Sequence, residues 1–186
     1  MYRRTITFLL SLLCVMMVGA ANHYFKHLGV SDGLSQVCIP SIYQDELGAV
    51  WLGTTEGLNR YNGKDVKIFQ PSESNNELTN NEINELCGDK SGRMYIRSGN
   101  DLIKLDIYTE QFTCLRQKGV FGLFCKKDTL WASCADGIYY YTGQGTELTF
   151  FARIQKGFVG RALYVDKETV WVVTKKYLIA ISREDP

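Results

Sequence analysis

From residue 40 onward the chain runs in short apolar stretches of alternating character, cut at regular intervals by clusters of Gly, Asp, Asn and Lys. The stretch DELGAVWLGTTEGLNRYNG at 45–63 shows the pattern at its clearest. Alternation with a period of two predicts half-buried strands, and no window after residue 21 sustains the 3.6-residue period of a helix. Strand A is the run ending near Gln44, strand B spans 49–54, strand C 57–61 and strand D 66–69. Gly48 closes the A–B turn, and Gly57 lets the B–C turn reverse without a Cβ clash. Asn62-Gly63 predicts a two-residue hairpin with both residues at positive φ.

This unit recurs. With Trp51 laid over Tyr95, Trp131 and Trp171, the position seven residues on holds Leu58, Leu102, Ile138 and Leu178. Those residues open the runs LNRY, LIKL, IYYY and LIAI, and the polar turns DELG, DKSG, KKDT and DKET precede the aromatics. The aromatics are spaced by 44, 36 and 40 residues. Four-stranded units of that length in series predict an all-β chain, a β-propeller of about four blades at 36–70, 82–115, 120–151 and 159–184. Each strand B aromatic is then expected to fill the widening gap between neighbouring sheets, a burial of roughly 150–250 Å² per side chain. Gly53, together with Thr54, Ser98, Cys134 and Thr174 at one matched position, predicts a tightly packed row of small residues.

Composition agrees with a globular β chain: 45% apolar, 12% aromatic and three Pro among 186 residues. A formal charge of +1 without a basic stripe argues against a nucleic-acid partner. The N-terminus changes the picture more. Arg3 and Arg4 precede an uncharged run from Ile6 to Val18, and Val18-Gly19-Ala20 supplies small residues for cleavage. Thirteen residues span about 20 Å as a helix, short of the roughly 30 Å of a hydrocarbon core. Residues 1–21 are read as a signal peptide, leaving a domain at 22–186 with no membrane span of its own. Five cysteines remain after it: Cys38, Cys87, Cys114, Cys125 and Cys134. No C-x-x-C spacing occurs and only His23 and His27 could join them, so no zinc site is expected. The bland reading, thiols packed as small hydrophobes, leaves their pairing open. Thr142-Gly143-Gln144-Gly145 lacks the strand–helix setting of a phosphate loop and reads as a turn, so no cofactor is expected.

GLSQ at 33–36, IYQDELGAVWLGTTEGLNRYNG at 42–63 and the following Phe69 resemble the two-component regulator propeller repeat. That repeat builds the periplasmic sensor region of hybrid two-component proteins in polysaccharide-degrading gut bacteria. Later units depart from it: Tyr95 replaces Trp, Arg97-Ser98 replaces Gly-Thr, and Lys175-Lys176-Tyr177 replaces the glycine-bearing turn. The resemblance implies a periplasmic receptor that binds oligosaccharides and regulates glycan-utilisation genes by phosphorelay. Its partners would be the remaining blades and the signalling domains of a full-length receptor, as a homodimer in that context. The histidine kinase core of such receptors is not in this sequence, and no enzyme activity is expected of it.

Ligand contacts are expected in the B–C loops at 55–57, 99–101, 135–137 and 175–177 and in the D–A connection at 70–81. Glu56, Asn100, Asp101 and Asp136 are the candidate binding residues. Trp51, Tyr95, Trp131, Trp171, Gly53 and Gly57 are structural, and no catalytic or metal residue is assigned. The rival readings are a secreted propeller enzyme acting on glycans, which would need two of Glu56, Asp101 and Asp136 at about 5–10 Å, and a protein-interaction propeller.

Residues 25–39 also lie over 69–83 at the 44-residue offset, matching Phe25 to Phe69, Leu34 to Leu78 and Ile39 to Ile83. This predicts an outer D strand at 24–28 that closes the last blade of a ring. The family pattern has more blades, about seven, so the chain is expected to be a fragment forming an open arc.

Overall fold

Where a polar turn joins two alternating runs, the runs pair as antiparallel strands and the aromatics fall into one register. The computed structural model describes residues 25–72, 78–116, 118–154, 160 and 162–184; the expected signal peptide at 1–21, Tyr24 of the expected closing strand and residues 73–77 of the expected contact region lie outside these. The first sheet has β1 (Ser41–Gln44), β2 (Val50–Thr54), β3 (Gly57–Tyr61) and β4 (Val66–Phe69) in sequence order. The second has β5 (Ile83–Gly88), β6 (Arg93–Ser98), β7 (Asp101–Asp106) and β8 (Gln111–Arg116). The third has β9 (Val120–Lys126), β10 (Thr129–Cys134), β11 (Gly137–Tyr141) and β12 (Thr149–Ala152). The fourth has β13 (Ala162–Val165), β14 (Thr169–Val173) and β15 (Leu178–Ser182), three strands among the described residues where four were expected. The helical element among the described residues is one 3₁₀ turn at Val30–Asp32, and no described helix is long and apolar enough to cross a membrane.

Trp51 stands opposite Tyr43 and Arg60, Tyr95 opposite Cys87 and Lys104, Trp131 opposite Phe124 and Tyr140, and Trp171 opposite Tyr164 and Ala180. The aromatic thus occupies the same place in every sheet. Successive sheets meet through their first strands, β1 on β5, β5 on β9 and β9 on β13, giving an open ring of propeller blades.

One apolar cluster fills each gap. The first packs Trp51, Leu58 and Phe69 against Leu86, Met94, Ile96 and Ile103 of the next sheet. The second sets Tyr95 and Leu102 against Leu123, Leu130 and Ala132. The third sets Trp131 and Ile138 against Leu163, Val165, Val170 and Val172. Trp51 and Tyr95 are fully buried and Trp131 nearly so; at about 25 cal/mol per Å² each such ring contributes several kcal/mol. Trp171 is half-buried, because no further described sheet covers its face. Gly53 is small for a visible reason: a Cβ there would lie 2.8 Å from the Ile83 side chain and 3.1 Å from its carbonyl oxygen.

Two expectations change. The 62–63 turn is a four-residue loop, since Tyr61 pairs with Val66. Gly63 alone takes positive φ, while the Asn62 carbonyl oxygen Oδ1 accepts from Lys64 and Asp65 N–H. A side chain that closes its own turn removes the need for two left-handed residues. Residues 25–28 are not a strand: they pair with no described strand, and Phe25 is 86% exposed. A strand needs a ladder partner, and here Lys26 Nζ instead donates to Tyr61 OH at 2.8 Å. The 44-residue offset does hold further on, where Leu34 and Leu78 are both buried.

Candidate functional site

In the first and fourth blades the B–C turn is closed by a hydroxyl at the end of strand B. Thr54 Oγ1 donates to Gly57 O at 2.8 Å and accepts from Glu56 N–H, and Thr174 Oγ1 likewise donates to Tyr177 O at 3.1 Å. Gly57 sits at φ +113° with Phe69 O only 2.6 Å from where its Cβ would be. In the second blade Ser98 turns to the incoming connection, donating to Asn80 O at 2.7 Å.

Backbone bonds then join each turn to the connection beside it. Gly57 N–H donates to Asn81 O, Gly99 N–H to Glu82 O, Val120 N–H to Asn100 O and Ala135 N–H to Gly119 O. This chain of bonds draws the first three B–C turns and the residues leading into β5 and β9 into one rim. Glu85 ties that rim to the first strands. Its carboxylate pairs with Arg97 at 3.3 Å and accepts from Leu123 N–H at 3.1 Å, while Arg97 also donates to Gly99 O. Burial raises the Glu85 pKa against the pull of Arg97.

On the third blade the rim carries a charged and aromatic cluster. Arg116 Nη2 donates to Asp136 Oδ1 at 2.7 Å, and Tyr139 OH donates to Asp136 Oδ2 at 2.8 Å. The guanidinium lies 4.5 Å above the Tyr139 ring, and Phe150 meets that ring edge-on at 5.4 Å. Burial works against the Asp136 charge, but the Tyr139 and Arg116 hydrogen bonds outweigh it and lower its pKa. Gly137 lets the Phe150 ring fold over the turn, since a Cβ there would sit 2.8 Å from it. Asp136 and Phe150 remain about half exposed. A carboxylate held in a fixed orientation beside a guanidinium and an open aromatic face can bind a neutral polar ligand with apolar C–H faces.

The candidates from the sequence occupy the rim as follows. Glu56 and Asn100 are exposed, and their backbone carbonyls are used by Gln70 Nε2 and Val120 N–H. The Asp101 carboxylate accepts from Lys118 N–H at 2.5 Å, closing the loop before the third blade. Asp136 is the one built into a side-chain cluster. Arg116, Tyr139 and Phe150 were not anticipated, because they come from three strands and meet only through the pairing of β11 with β12 and the end of β8. A second set of contacts has a signal in the sequence. The Asp that opens the A–B turn accepts from the aromatic: Trp51 Nε1 to Asp45 at 2.7 Å, Trp171 Nε1 to Asp166 at 3.0 Å and Tyr95 OH to Asp89 at 3.5 Å. The third turn, KKDT, lacks that Asp, and Trp131 packs on Phe151 and Tyr140.

The sequence model of the family "Two component regulator propeller" matches residues 33–56. A 50-residue segment is 42% identical to histidine kinase P4 of Formosa agariphila, covering 27% of this chain and 4% of that protein. Among solved structures, the extracellular domain assigned to the hybrid two component system BT3049 of B. thetaiotaomicron superimposes with a TM-score of 0.74 at 20% identity. That match covers 86% of this chain and 25% of the other. The extracellular domain assigned to the one component system BT4673 of the same organism gives 0.69 at 16% identity, over 90% and 24%. The chain therefore spans about a quarter of these extracellular domains and a small part of the kinase. Residues 33–56 thus match the two component regulator propeller repeat, within a chain that has the β-propeller fold of those extracellular domains.

Proposed function

We propose that the chain is the ligand-sensing propeller of an exported two-component receptor, and that it binds oligosaccharides along the rim of B–C turns. The carrying observation is the third-blade cluster, with Asp136 clamped by Arg116 and Tyr139, and the half-exposed Phe150 edge-on to the Tyr139 ring. Sugars present paired hydroxyls and an apolar C–H face. A carboxylate fixed by two donors has lone pairs left for hydroxyls, and an exposed ring can stack on the C–H face. Glu56, Asn100 and Asp101 extend the same rim and would contact further sugar units. The repeat at 33–56 and the likeness to extracellular domains support export to the periplasm and signalling by phosphorelay through domains of a full-length receptor, as a dimer there.

The test is calorimetry and thermal shift of the full chain against a panel of soluble oligosaccharides. Binding by at least one, weakened about tenfold or more by Asp136→Ala or Phe150→Ala with the β circular-dichroism spectrum unchanged, is the expected result. Release of reducing ends would instead indicate a hydrolase. A chain that ignores the whole panel and captures a protein partner sinks the proposal.

A further inference from the structure

Cys87 and Cys125 lie on the first strands of neighbouring blades, β5 and β9, which pack on each other. Both border the second core cluster, opposite its members Tyr95 and Leu130 in the ladders. The repeat explains why these two positions face one gap. The residue facing the strand B aromatic reaches across to the first strand of the next blade. In the first gap that residue is Tyr43, whose hydroxyl would lie 2.1 Å from a Cβ on Gly88. In the third gap it is Phe124, stacked edge-on to Tyr164 at 5.3 Å. In the second gap the residue facing Tyr95 is Cys87, and the position equivalent to Gly88, one beyond Phe124 in the next blade, is Cys125. Both are free thiols in this structure, and both pack against the same apolar cluster between the two blades. The other thiols lie elsewhere: Cys38 before β1, Cys114 on the outer strand β8, and Cys134 at the far end of β10.

We propose that Cys87 and Cys125 form a disulfide that staples the second blade to the third once the chain reaches an oxidising compartment, a proposal that rests on the export reading above. The oxidant is the disulfide of a thiol–disulfide oxidoreductase. One cysteine thiolate attacks a sulfur of that disulfide, giving a mixed disulfide and expelling one oxidoreductase thiolate. The second cysteine thiolate then attacks its neighbour's sulfur and releases the other. Two protein thiols lose two electrons and two protons, and the oxidoreductase gains them as two thiols. Burial pushes the Cys87 thiol well up, which makes unassisted oxidation slow. The bond closes a loop through both blades at the inner end of the sheets and fixes their relative angle.

The test takes the purified, reduced full chain through oxidised glutathione, acid quench, alkylation and digestion without reduction. A single linked pair of peptides carrying Cys87 and Cys125 is expected, absent in Cys87→Ser and in Cys125→Ser and present in Cys114→Ser. The oxidised form should melt about 5–15 °C higher than the reduced form. If both residues carry the alkyl label in a sample that retains its β spectrum, or if either links to Cys38 or Cys114, the pairing is wrong. Acid-trapped cells expressing the chain with its own N-terminus supply the second arm. A link found in vitro but missing there overturns the export reading while the pairing stands, so the two failures are told apart.

Discussion

The indole N–H of Trp51 donates to the Asp45 carboxylate at 2.7 Å, and both residues are buried. The other carboxylate oxygen accepts from Leu47 and Ala49 N–H at 3.0 and 2.9 Å. One side chain therefore closes the A–B turn and satisfies the polar edge of the ring that fills the gap between blades. Asp45→Ala leaves a buried indole donor without an acceptor and opens the turn, so a loss of about 2–4 kcal/mol is expected. Asp45→Asn keeps one acceptor oxygen for the Leu47 and Ala49 N–H groups but sets an amide donor against the indole N–H, so it should recover only the turn's share. Denaturant unfolding of the three proteins reads this directly. Equal losses in both variants would mean that the turn bonds contribute nothing and the whole effect lies at the indole.

Gly57 and Gly63 both adopt positive φ, but only Gly57 is crowded. A Cβ at 57 would stand 2.6 Å from Phe69 O, whereas nothing lies within 4 Å of one at 63. Gly57→Ala combines an unfavourable conformation with a clash against backbone and should cost at least about 3 kcal/mol. Gly63→Ala carries the conformational part alone, about 1 kcal/mol. Thermal melts of the two variants separate the contributions, and similar shifts would show that the B–C turn relaxes freely.

The Asp136 pKa is lowered in the folded chain, so its contribution to stability is present above the unfolded value of 3.8 and is lost as pH falls through the lower folded value. The carboxylate is 56% exposed, which limits the Arg116 pair to about 0.2–1 kcal/mol. Asp136→Asn should therefore melt slightly below the parent at pH 7, with the difference vanishing towards about pH 2. A difference that persists or grows in acid would assign the loss to the Tyr139 hydrogen bond or to packing.

The blades were legible because their signal is local and repeated. The aromatic, the Leu or Ile seven residues on and the polar turn recur four times, and each strand they mark is present. The 62–65 loop is not legible from its Asn-Gly dipeptide, because Asn62 closes it with its side chain. The Asp45–Trp51 bond was within reach of the sequence, since DELG, DKSG and DKET share an Asp ahead of the aromatic. The Asp136 cluster was only half legible. Asp136 announces itself as a loop carboxylate, but Arg116 joins it from the end of β8, and Phe150 reaches Tyr139 through the pairing of β11 with β12. The register shift between Ile138 and Tyr139 in that pairing cannot be read from alternation.

The position that opens strand C shows what a neighbouring blade does for a side chain. Leu58, Leu102 and Ile138 are fully buried, each under the next blade. Leu178 occupies the same place in the fourth blade and is 64% exposed. With Leu163, Tyr164, Trp171 and Val173 it lines an open apolar cleft, and Ile42 and Ile68 are exposed on the first blade. Stacked arrays keep their terminal faces soluble with polar residues, and an apolar face of this kind favours association. The full chain should bind a hydrophobic dye strongly. Val173→Lys with Leu178→Glu should cut that fluorescence by about half or more, because one of the two faces becomes polar. The same pair should change stability by no more than about 0.5 kcal/mol, since both side chains already face solvent. Leu58→Glu, at the equivalent buried position, should prevent folding, because an unpaired carboxylate would enter the gap filled by Trp51 and Phe69. A full chain that is monodisperse, melts sharply and reversibly and leaves the dye dark would mean that the fourth blade's face is covered in solution, and the open arc would have to be abandoned.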